Sequence, residues 1–85
     1  MRVALTELRP GETGVIRQMS LPVEVQQALM RFGFIPDAEV TLRRRAPLGD
    51  PNVYSVDGSE VALRAETARH ILVSPVSDRP ERDLP

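Results

Sequence analysis

The chain has 85 residues, enough for one domain that buries only roughly 60–65 % of the surface its unfolded form exposes, so a compact core helped by self-association is its expected source of stability. Eleven basic residues, all arginine, against twelve acidic ones give a formal net charge of −1, which argues against a polyanion binder. There is no cysteine, no apolar run near the roughly 20 residues of a bilayer span, and no apolar signal segment in Met1–Glu7; disulfides and thiolate zinc sites are excluded, and a soluble cytoplasmic protein without direct membrane insertion is expected.

In chain order, Leu5 and Leu8 precede Pro10-Gly11, a turn signal. Gly14 to Met19 is rich in β-branched residues and predicts a strand. From Pro22 to Phe32, Val25, Ala28, Leu29 and Phe32 recur at helical spacing, which predicts a helix of about three turns with that stripe inward. Ser20 lies where an N-cap belongs, and Gly33 fits the C′ position beyond the end. Phe34-Ile35-Pro36-Asp37 reads as a turn into a second strand, Ala38 to about Arg45, in which Val40 and Leu42 alternate with Thr41 and Arg43. The loop Ala46-Pro47-Leu48-Gly49-Asp50-Pro51 follows, stiffened by a proline at either end. Val53–Val56 and Glu60–Leu63 flank Asp57-Gly58, a strong hairpin signal because both central positions of such a turn want positive φ. Glu66 to His70 suits one helical turn, and Ile71-Leu72-Val73 a last strand. The reading is mainly β: a folded domain over residues 1–76 and a charged, proline-rich flexible tail over 77–85. About five short strands with one inserted α-helix suit a small SH3-like β-barrel, with a five-strand OB barrel as the rival.

Catalysis finds no support, because no serine or cysteine nucleophile lies near the histidine and neither a nucleotide-binding glycine loop nor an HExxH pair is present. Three constellations offer binding chemistry instead. Leu48, Gly49 and Asp50 form either a stiff connector that sets strand register or a pre-organised recognition tip with Leu48 as its apolar contact. Leu21, Val23 and Met30 lie off the inward stripe of the helix, as incidental surface or as a docking face for a partner or a second copy. Glu66 and His70, at i and i+4 on a helical turn, would give two ligands of a divalent-metal site, iron or zinc, with a symmetric dimer or solvent anions supplying the rest; the alternative is a surface pair with no metal. Arg43-Arg44-Arg45 is the one basic run. Period-two geometry sends Arg43 and Arg45 to one face, and with so few aromatics nucleic-acid contact is disfavoured.

The order and spacing of Leu8-x-Pro10-Gly11-Glu12, Leu29-x-x-Phe32-Gly33-Phe34-x-Pro36, Arg45 to Pro51, the Tyr54 to Arg64 hairpin and Ala68-x-x-Ile71-x-Val73 resemble the ferrous iron transport protein A (FeoA-like) family over roughly residues 1–74. The resemblance implies an SH3-like barrel and a cytoplasmic accessory role in ferrous iron uptake, with no required cofactor. The implied partner is FeoB, the membrane permease with a cytoplasmic GTPase domain, which would recruit the protein to the inner face of the membrane. Similar domains also close metal-dependent repressors of the diphtheria-toxin-repressor type; residues 1–85 hold no helix-turn-helix pattern, and a stand-alone transport accessory is the expectation. One departure is visible: the family commonly has Pro-Gly where this chain has Pro36-Asp37, and aspartate suits a type I turn more comfortably than a type II.

Overall fold

The computed structural model describes residues 1–76. The tail expected over 77–85 lies outside the described residues. Six strands form one antiparallel sheet: β1 (Val3–Ala4), β2 (Thr13–Met19), β3 (Glu39–Arg44), β4 (Asn52–Val56), β5 (Ser59–Leu63) and β6 (Ile71–Pro75), in the order β1-β6-β2-β3-β4-β5. Helix α1 (Val23–Met30) joins β2 to β3, a one-turn helix α2 (Ala65–Ala68) joins β5 to β6, and a 3-10 turn spans Leu5–Glu7. Among the described residues, no helix is long and apolar enough to cross a membrane.

The alternation along each strand decides which face turns inward. Val40 and Leu42 on β3, Tyr54 and Val56 on β4, and Ile71 and Val73 on β6 are buried, and with Ile16, Leu5, Leu8, Leu29 and Phe34 they fill one core. Burial of each such side chain contributes roughly 1.5–3 kcal/mol. At the hairpin, Asp57 (φ 51) and Gly58 (φ 80) both take positive φ, as the Asp-Gly signal requires. The strand additional to the five expected is β1, whose two residues pair with Val73 and Leu72 of β6.

Helix α1 is shorter than its apolar spacing implies. Its N-cap is Pro22, with no side-chain cap, and not Ser20. Ser20 Oγ instead accepts a bond from Gln18, while Gln26 Nε2 donates to the carbonyls of Met19 and Leu21 and fixes the incoming chain. At the other end the Phe34 N–H bonds to Leu29 O at 3.1 Å and the Gly33 N–H to Met30 O at 3.0 Å, the paired bonds of a Schellman turn. Gly33 takes φ 106 there. The reversal delivers Phe34 into the core beside Leu29 and leaves Phe32, expected on the inward stripe, 50 % exposed.

The turn into β3 also corrects the sequence reading. The Ala38 N–H bonds to Ile35 O at 3.1 Å, and Asp37, third of the four turn residues, takes φ 73. Aspartate thus adopts the type II geometry that glycine would take more readily, and its carboxylate meets Arg17 at 2.8 Å. Arg17 reaches it from a bulge of β2 between Ile16 and Gln18.

Candidate partner-binding surfaces

The loop between β3 and β4 is tied by its own polar groups. The Gly49 N–H bonds to Ala46 O at 2.9 Å, closing a turn with Pro47 at its second position. Asn52, buried at the start of β4, accepts the Ala46 N–H on Oδ1 at 3.0 Å and joins the two ends of the loop. Asp50 Oδ1 accepts the N–H of Ala65, the first residue of α2, at 2.8 Å, and so caps a helix 15 residues downstream. The Asp50 carboxylate is therefore engaged within the molecule. What the loop leaves free is Leu48, 96 % exposed at the tip, beside the exposed Gly49.

The neighbouring arginines do not alternate as a regular strand would place them. A bulge between Leu42 and Arg44 adds Arg43 to the strand and shifts the register against β4. Arg44 lies 3.5 Å from Glu60, and Arg45 donates to Leu8 O at 2.8 Å. Beneath this loop, Tyr54 is fully buried. Burial pushes its phenol above the usual tyrosine range; the Asn52 side chain and the Arg45 guanidinium pull the other way, and Asp50 adds to the rise.

A second surface surrounds the end of α1. Val23 and Met30 are exposed, whereas Leu21 is partly buried and packs against the core. At the end of α1 the exposed apolar residues are Met30, Phe32 and Ile35, while Val23 is exposed at its start. Phe32 and Ile35 escape a periodicity argument because they follow the last helical turn, where the 3.6-residue rule no longer sets direction. Next to them, Gly33, Ile35, Ala38, Glu39 and Asp57 line an open groove of about 340 Å³. A Cβ at residue 33 would stand 2.8 Å from Asp57 Cβ, so the helix end and the hairpin turn meet this closely because residue 33 has no side chain.

Glu66 and His70 are both exposed. Helix α2 ends at Ala68 and the His70 N–H bonds to Thr67 O at 3.1 Å, so His70 lies beyond the helix and not one α-turn above Glu66. Among the described residues, no group of three or more His, Cys, Asp or Glu side chains gathers to hold a metal ion.

Sequence comparison matches the FeoA domain to residues 3–75, which takes in every strand and both surfaces. The chain belongs to the FeoA family. That family is associated with ferrous iron transport. Solved FeoA structures superpose closely. The FeoA protein of Chlorobium tepidum has a TM-score of 0.85 at 27 % identity, over 92 % of this chain and 74 % of its own. Iron(II) transport protein A of Clostridium thermocellum has a TM-score of 0.82 at 32 % identity, over 87 % of this chain and 46 % of its own. The zinc-complexed FeoA of Stenotrophomonas maltophilia, described as a procaryotic SH3 domain protein, has a TM-score of 0.72 at 25 % identity, over 85 % of this chain and 89 % of its own. The mainly β fold is accordingly SH3-like, and the OB alternative falls away. A search of the curated proteins finds no match.

Proposed function

We propose that this FeoA-family chain is a non-enzymatic cytoplasmic accessory protein of ferrous iron uptake, which binds the cytoplasmic part of a FeoB-type permease and regulates it. The observation that carries this reading is the family match over residues 3–75. The tied loop supports it: a leucine held 96 % exposed on a loop already ordered by three internal hydrogen bonds can dock with little further loss of entropy. The test is retention of the purified chain on the immobilised cytoplasmic part of the permease, with and without ferrous iron and guanine nucleotide. The wild type is retained, and Leu48→Ala, unchanged in circular dichroism, binds roughly tenfold more weakly. Equal retention of Leu48→Ala moves the contact away from the loop. No retention of the wild type under any condition overturns the reading.

A metal-responsive module is the second reading, supported by the zinc bound to the Stenotrophomonas maltophilia protein. Glu66 and His70 supply at most two ligands where zinc normally takes four, so occupancy would require a second copy or solvent ligands. Zinc-dependent dimerisation of the wild type that is absent from His70→Ala, measured by sedimentation, distinguishes this reading from simple adaptor binding.

A further inference from the structure

We propose that the groove between the end of α1 and the β4–β5 turn seats an arginine or lysine side chain presented by a segment of a partner protein. Its polar wall is anionic: Glu39 opens β3, Asp57 stands in the hairpin turn, and no cationic residue lines it. Among the described residues neither carboxylate is in an ion pair, whereas Asp37 close by in sequence is already matched by Arg17 at 2.8 Å. The remaining lining, Gly33, Ile35 and Ala38, is aliphatic, and Ile35 is 44 % exposed.

The combination selects among ligands by elementary chemistry. A bare divalent ion needs more ligands than two carboxylates provide, and no third metal-ligating side chain gathers here. A phosphate would be repelled by the sign of the charge. A guanidinium or ammonium on an aliphatic stem satisfies both parts, the head against Glu39 and Asp57 and the methylenes against Ile35 and Ala38. Apolar neighbours of that residue would then lie over Phe32 and Met30, which are 50 % and 47 % exposed beside the same turn. The backbone at Asp57 (φ 51) is held by its hairpin and that at Gly33 by its Schellman bond, so the main chain beneath the two carboxylates is set before a ligand arrives.

The inference rests on the adaptor reading only in taking the segment to belong to another protein. Its test needs no permease. The isotope-labelled full chain is titrated by NMR with an acetylated, amidated Leu-Arg-Leu peptide and with the same peptide carrying neutral citrulline for arginine. The arginine peptide shifts the backbone amides of Gly33, Ile35, Ala38, Glu39 and Gly58 and binds roughly tenfold more tightly than the citrulline peptide. The variant Glu39→Gln/Asp57→Asn, in which asparagine keeps the positive φ at the turn, binds both peptides equally weakly. Equal affinity of the wild type for both peptides overturns the proposal, and so do shifts confined to the Leu48 loop. Concentration-dependent shifts at the same amides without peptide also overturn it, because a second copy then fills the groove. Binding of the arginine peptide by a chain that fails to retain the permease leaves the groove assigned and removes the adaptor reading alone.

Discussion

Tyr54 has an unusual position because of what the sequence lacks. It is the one tyrosine of a chain with no lysine and no cysteine, so it is the one side chain whose ordinary pKa lies near 10. Burial raises its folded-state pKa above the ordinary value near 10. The native state then holds a proton that the unfolded state has released, and stability falls with pH wherever the native state binds more protons. The contribution of Tyr54 is therefore fully present below about pH 10 and is lost as the pH rises through the raised folded value. Urea midpoints stay level up to about pH 10 and decline above it, and tyrosinate absorbance appears with unfolding, not ahead of it. In Tyr54→Phe the alkaline decline disappears. At this same scale the sequence was unevenly legible. Asp57-Gly58 announced its turn because both residues tolerate positive φ. Asp37 did not, because its positive φ is imposed by the bond closing Ile35 to Ala38 and accompanied by an ion pair with Arg17 twenty residues away.

Among the elements, those stabilised by local pattern were readable and those stabilised by distant partners were not. The apolar spacing located α1, and Gly33 located its end. The spacing placed Phe32 inward, however, because periodicity extrapolates a helix through the turn that stops it. Phe34 takes the core position that Phe32 was expected to fill. Likewise β1 has two residues and no alternation to detect; it exists through its pairing with β6. Helix α2, at four residues, is too short to hold itself together, and its first N–H depends on Asp50 of the β3–β4 loop. Replacing a capping acceptor by alanine costs about 0.5–2 kcal/mol. Asp50→Ala is accordingly expected to lower the thermal midpoint by several degrees, about 4–8 °C per kcal/mol for a domain this small. Asp50→Asn, which keeps an acceptor oxygen, loses less. If the two variants unfold alike, the cap contributes nothing. The same bond ties the loop that carries Leu48, so a disordered loop in Asp50→Ala would weaken partner retention without removing any exposed apolar contact.

For the molecule as a whole, sheet order matters more than sheet content. The chain closes its fold with β6, which comes last among the strands yet lies between β1 and β2. It pairs with Val3 and Ala4 on one side and with residues from Gly14 to Met19 on the other, and it places Ile71 and Val73 in the core with no exposed surface. A domain of this length has a total stability of about 4–11 kcal/mol. Truncating one fully buried isoleucine to alanine costs about 2–5 kcal/mol, a large fraction of that total. Removing β6 takes away two such side chains and both of its ladders together. A chain ending at His70 is therefore expected to be unfolded by circular dichroism. A chain ending at Val76 keeps the urea midpoint of the full 85 residues, because β6 and its hydrogen bond from the Val76 N–H to Thr13 O remain intact. A lowered midpoint in the second truncation would place part of the cooperative unit within residues 77–85. Loss of all structure in the first and none in the second would set the domain boundary at residue 76 and make β6 the strand on which both candidate surfaces depend.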